Sequence, residues 1–158
     1  MNNWMMCKVK YTKQLDNGAL KRVSEPYLFA AISFTDTEAR IYEELGSVIR
    51  GEFNVVSIAR QEIHDIFGYD DSSTWYKAKV KFDSVDADTE KSKKVTQNFL
   101  VTASSVKEAS ERIKESLNGM LVDFEITMVA VTDIVDIFPY VEKETVTQER
   151  SISEIIAD

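Results

Sequence analysis

The chain repeats itself, so any fold it adopts must accommodate the same unit twice. At a spacing of 71 or 72 residues, Trp4-Met5-Met6-Cys7-Lys8-Val9-Lys10-Tyr11 recurs as Trp75-Tyr76-Lys77-Ala78-Lys79-Val80-Lys81-Phe82. Val23 to Ser33 recurs as Val95 to Ser105. Ser33 to Leu45 then matches Ser105 to Leu117, with Ser33/Ser105, Arg40/Arg112, Ile41/Ile113, Glu43/Glu115 and Leu45/Leu117 identical. Phe53 to Tyr69 closes the match against Phe124 to Tyr140. The offset changes only at Thr12–Arg22 and Gly46–Gly51, segments with turn residues, where insertions cost least.

Each half reads as strand, strand, helix, strand. Met5, Cys7, Val9 and Tyr11 alternate with Met6, Lys8 and Lys10, the period of a half-buried strand. Asp16-Asn17-Gly18 supplies a turn, and Val23 to Ile32 returns as the second strand of a hairpin. Ser33-x-x-Asp36 and Ser105-x-x-Glu108 have capping-box spacing, so a helix is predicted from each serine to about Leu45 or Leu117, with Gly46 and Asn118-Gly119 as stops. Ala39, Ile41, Leu45 and Val48, or Ala109, Ile113, Leu117 and Met120, supply the core-facing stripes. A third strand is expected near Phe53–Arg60 and Phe124–Val131. Ile63, Ile66 and Phe67, like Ile134, Ile137 and Phe138, stand at i, i+3 and i+4, which predicts a short closing helical turn. The helix crossover sets the third strand parallel to the second, with the first between them, and Pro26 belongs at an edge.

The expectation is an α+β protein of two tandem ββαβ repeats, at 1–69 and 75–140, packed as one unit with pseudo-twofold symmetry because only Asp70–Thr74 links them. Val141 to Asp158 has no counterpart in the repeats and reads as an acidic C-terminal tail.

Several chemistries are closed by what the 158 residues lack. One cysteine, Cys7, excludes an internal disulfide, and one histidine, His64, leaves a Cys/His zinc site out of reach. None of the five glycines forms a phosphate-binding loop. His64 stands beside Asp65, but its counterpart is Val135; Cys7 is matched by Ala78, which argues for a small buried residue over a nucleophile. Asp65 and Asp136 recur before Ile-Phe, a position where an acid caps a turn more often than it binds metal. The chain is read as non-enzymatic, without catalytic residues, metal or cofactor. It has no run of roughly 20 apolar residues and no basic, apolar leader at its start, so no membrane association is expected and the chain reads as cytoplasmic.

Charge is distributed unevenly. The net charge is −8, from 19 basic and 27 acidic residues, yet eleven of the basic ones lie in the two hairpin regions. Alternation places Lys8 and Lys10 on one strand face and Lys77, Lys79 and Lys81 on the equivalent face of the second half. Such faces could track a phosphate backbone, with Trp4, Trp75, Tyr76 or Tyr27 as platforms for unpaired bases, which favours single-stranded nucleic acid. The candidate nucleic-acid-binding set is therefore Lys8, Lys10, Lys79, Lys81, Trp4 and Trp75. Lysines on an exposed face also serve solubility and discourage edge pairing, and tryptophans at strand starts also serve packing. The alternative function is a protein-interaction module, an adaptor or inhibitor, that meets a host or phage protein through its exposed sheet face or acidic tail; a homo-oligomer is a third possibility.

The strand Trp4 to Tyr11, the stretch Glu25-Pro26-Tyr27-Leu28, the helix start Ser33-Phe34-Thr35-Asp36-Thr37-Glu38-Ala39-Arg40-Ile41, the turn Gly51-Glu52-Phe53 and the closing Asp136-Ile137-Phe138-Pro139-Tyr140 resemble family 4494 of the domains of unknown function, over residues 1 to about 140. The resemblance implies a setting in gut bacteria or their bacteriophages, in the cytoplasm of the host cell, and carries no catalytic residues.

Overall fold

The computed structural model describes residues 3–85, 88 and 91–140; the acidic tail expected over 141–158 lies outside the described residues. The elements are β1 (Asn3–Gln14), β2 (Leu20–Ala31), α1 (Phe34–Leu45), β3 (Phe53–Gln61), β4 (Asp65–Phe67), β5 (Trp75–Val85), β6 (Ser92–Thr102), α2 (Val106–Ser116), β7 (Phe124–Val131) and β8 (Asp136–Phe138). Among the described residues the fold is mixed α+β, with eight strands in two four-stranded sheets and two helices.

Turn chemistry closes the first hairpin as the sequence predicts. Gly18 has φ +84°, and the Asn17 side chain accepts a 2.9 Å hydrogen bond from the Ala19 N–H. β1 pairs antiparallel with both β2 and β3, so β2 and β3 run in the same direction with β1 between them. β5 stands in the same relation to β6 and β7. The β1–β3 register shifts between Lys8 and Val9, and the β5–β7 register between Lys79 and Val80.

The fourth strand of each sheet corrects the expected closing turns. Asp65–Phe67 and Asp136–Phe138 are short strands, and each joins the sheet of the other half. β8 pairs parallel with β2, matching Leu28 with Ile137, and β4 pairs parallel with β6, matching Leu100 with Ile66. The sheet orders are thus β3-β1-β2-β8 and, in the corresponding direction, β7-β5-β6-β4. The i, i+3, i+4 spacing was misleading because three residues hold too little periodicity to separate strand from helix, and the strand forms only on an edge supplied from elsewhere in the chain. Asp65 and Asp136 each accept a 2.8 Å hydrogen bond from the next residue's N–H, a local capping role.

Pro26 lies where β8 begins. Its carbonyl accepts from the Val135 N–H at 2.9 Å, and the N and O of a strand residue point to the same side. The missing proline donor therefore faces β8 and leaves the β1 ladder intact.

Both helices start as capping boxes. Ser33 and Ser105 accept from the N–H groups of Asp36 and Glu108 at 3.0 and 3.1 Å, while those acids accept from Ile32 and Ser104 at 3.1 and 2.9 Å. Gly46 ends α1, and a Cβ there would come within 2.5 Å of the Tyr42 carbonyl oxygen. The buried stripe of α1 is Thr37, Ile41 and Leu45, continued by Ile49 beyond the helix; that of α2 is Ala109 and Ile113, continued by Leu117. Ala39, Val48 and Met120, expected in these stripes, are exposed. Thr37 is buried in Ala39's stead because its hydroxyl donates to the Ser33 carbonyl at 2.7 Å, which removes the cost of an unpaired polar group.

Three apolar clusters result. Met5, Cys7, Val9, Tyr27 and Phe29 pack with Ile41 and Leu45 of α1. Tyr76, Ala78, Val80, Phe99 and Val101 pack with Ala109 and Ile113 of α2. On the faces turned away from the helices, Leu28, Leu100 and Ile134 are buried with Trp4, Met6, Ile66, Trp75 and Ile137 around them, joining the two sheets.

Candidate functional site

Because side chains alternate along a strand, Lys8 and Lys10 point away from Cys7, Val9 and α1, and Lys79 and Lys81 point away from Ala78, Val80 and α2. All four are exposed. They occupy the same faces as the inter-sheet cluster, further along the strands.

Their surroundings differ. The register partners of Lys8 are Pro26 and Ser57, and those of Lys10 are Ser24 and Asn54, so no carboxylate stands directly across from either. Lys79 lies between Asn98 and Met128. Lys81 lies opposite Glu125 and shares a shallow depression with Asp83 and Asp123, so its positive field is partly cancelled. Among the described residues none of the four makes an ion pair, whereas Lys13 meets Glu25 and Lys94 meets Asp83, each at 3.9 Å.

The proposed stacking platforms divide. Tyr27 and Tyr76 are 4% and 7% exposed inside the helix-covered cores, so neither offers a ring face to a ligand; this corrects the sequence expectation. Tyr27 and Tyr11 both donate to the Glu25 carboxylate. Burial, with the carboxylate second, pushes the Tyr11 phenol up to about 12 and raises that of Tyr27 further. Trp4 and Trp75 are half-buried against the inter-sheet cluster.

Trp4 also lines a hollow of about 390 Å³ with Asn3, Arg60, Gln61, His64, Thr96 and Asn98. Thr96 and Asn98 are the register partners of Lys81 and Lys79. The fold therefore brings Trp4 to the strand that pairs with the lysine-bearing strand of the opposite sheet. Arg60, His64 and Asn98 escaped the sequence reading as a group because they come together only through the β3–β4 crossover onto β6. The signal that could have found them is their mismatch with their repeat counterparts, Val131, Val135 and Pro26 respectively.

Cys7 and His64, singled out in the sequence, both make packing contacts. Cys7 is fully buried, its thiol donates toward the Met5 carbonyl at 3.8 Å, and burial pushes it up to about 12, so no thiolate is present near neutral pH. His64 packs edge-on to Phe99 with centroids 5.4 Å apart. Among the described residues no cluster of three or more His, Cys, Asp or Glu is placed to hold a metal ion, and no helix is long and apolar enough to cross a membrane.

A family model described as a domain of unknown function, DUF4494, matches residues 3–140. No curated protein and no solved structure matches the chain.

Proposed function

This chain belongs to the DUF4494 family, whose description names no activity, and from the geometry we propose that it is a non-enzymatic binding protein that engages single-stranded nucleic acid through its lysine-bearing sheet faces. The observation that carries this reading is the placement of Lys8, Lys10 and Lys79. In a protein of net charge −8 they are exposed on faces turned away from the helices, with no carboxylate in ion-pairing range among the described residues. Unpaired cations held on a rigid sheet create a local positive potential that attracts phosphate whatever the overall charge.

An unpaired strand fits better than a duplex. The faces carry half-buried aromatics near the lysines, and a base can stack on these only when it is free of its partner strand. The reading takes the molecule as two tandem ββαβ repeats about a pseudo-twofold axis, which the matching element order and reciprocal strand pairing support. It places the protein in the host-cell cytoplasm in a phage or mobile-element setting.

Charge reversal tests it. Lys8→Glu, Lys10→Glu, Lys79→Glu and Lys81→Glu together are expected to abolish oligonucleotide binding in an anisotropy titration while leaving the thermal transition close to that of the parent. Unchanged binding overturns the reading. A protein partner captured from lysate that survives nuclease treatment and depends on the 141–158 segment favours the adaptor or inhibitor alternative.

A further inference from the structure

The hollow beside Trp4 has a built floor. As the chain crosses from β3 to β4, the His64 N–H donates to the Asn98 carbonyl at 2.8 Å, and the Asn98 side-chain amide donates to the Glu62 carbonyl at 3.1 Å. Both bonds end on one residue of β6, so the crossover is held at a fixed distance from that sheet.

The second half shows which parts of this construction the fold itself needs. There the Val135 N–H donates to the Pro26 carbonyl at 2.9 Å, Trp75 stands for Trp4 and Ile134 for Ile63. The shared tryptophan, isoleucine and main-chain bond serve folding. What differs is the polar lining: Arg60, Gln61 and His64 are replaced by Val131, Thr132 and Val135. The second half builds the same crossover without the cation, the carboxamide or the imidazole, so the crossover itself does not require them. Arg60 is exposed and makes no ion pair among the described residues.

We propose that this hollow receives one unpaired nucleobase of the bound strand, with its ring face on the Trp4 indole and its polar edge toward Gln61 and Asn3. The inference rests on the single-strand reading above and assigns that strand a defined anchoring point. At about 390 Å³ the hollow lies near the small end of ligand sites, suited to one base and not to a paired duplex. The lining offers a half-buried indole for stacking, carboxamides that can meet a base edge, and the Glu62 carboxylate, which can accept from an exocyclic amine. Asn98 is a positioning residue, because its amide holds the crossover that carries His64.

The test converts the first half to what the second already tolerates, Arg60→Val, Gln61→Thr and His64→Val, in a Trp75→Phe background so that indole emission reports Trp4. Labelled single-stranded oligonucleotides of dA and of dT are titrated against this variant and its Trp75→Phe parent, following anisotropy and tryptophan emission together. The expected result is quenching of Trp4 in the parent, and in the triple variant loss of that quenching with binding weakened roughly 10-fold, the size of one lost stacked base. Oligonucleotide binding with no Trp4 quenching in the parent, or with equal quenching in both proteins, overturns the base site and leaves the lysine-face reading standing. No oligonucleotide binding by the unsubstituted protein overturns both.

Discussion

The guanidinium of Arg112 on α2 lies 2.6 Å from the carboxylate of Asp71, in the segment that follows β4. The same side chain donates to the Thr102 carbonyl at 2.8 Å and sits over the Tyr69 ring, 4.2 Å from its centroid. Arg40, its counterpart on α1, donates to the carbonyls of Ala30 and Pro139, the latter just beyond β8. Two arginines at matching positions thus each bind the segment that leaves an exchanged strand. The identity of Arg40 and Arg112 in both halves was visible in the sequence; what they hold became clear only once the strand exchange was seen.

Asp71 makes stability depend on pH. Its hydrogen bond from Arg112 holds the carboxyl below the ordinary value of 3.8, so the folded state binds this proton less readily than the unfolded chain. The contribution is fully present above the ordinary carboxylate range and is lost as pH falls through the lowered folded value. Asp71→Asn is expected to lower Tm modestly at pH 7 and by less at pH 2. A deficit of equal size at both pH values would contradict the assignment.

The contact between sheets depends on Leu28 and Leu100, which are 0% and 1% exposed. Truncating a fully buried leucine leaves a cavity, so Leu100→Ala is expected to cost about 3 kcal/mol in denaturant unfolding. Because Leu28 and Leu100 belong to one cluster, the double variant should depart from additivity. Additive losses would mean that the two sheets are stabilised independently.

Cys7 reports global unfolding. With its thiol buried and raised to about 12, a thiol reagent at neutral pH is expected to react only as the sheet opens, at a rate that follows denaturant-induced unfolding. Fast labelling of the native protein would contradict the burial of β1.

Most of the fold was legible because its signals are local and occur twice. Period-two alternation located β1 and β5, Asn17-Gly18 closed the hairpin, and the Ser33 and Ser105 boxes started both helices within a residue of where they begin. Thr37 was missed as a core residue because a hydroxyl bonded within its own helix looks polar in sequence, although its counterpart Ala109 pointed to the buried position. β4 and β8 were missed because a three-residue strand is specified by its partner edge. The candidate site was legible to the same extent. Strand alternation placed the four lysines on exposed faces, whereas the meeting of Trp4 with His64 and Asn98 depends on a crossover between sheets.

The most direct test of nucleic-acid binding is an anisotropy titration of labelled single-stranded and duplex oligonucleotides against the intact protein across a range of salt concentrations. The account predicts micromolar or tighter binding to single strands, weaker binding to duplex, and a log–log salt slope of about −2 to −3, as expected when three or four lysines neutralise phosphates of a single strand. No binding at low ionic strength, where phosphate contacts are strongest, would contradict it and leave Lys8, Lys10, Lys79 and Lys81 as a solvated face.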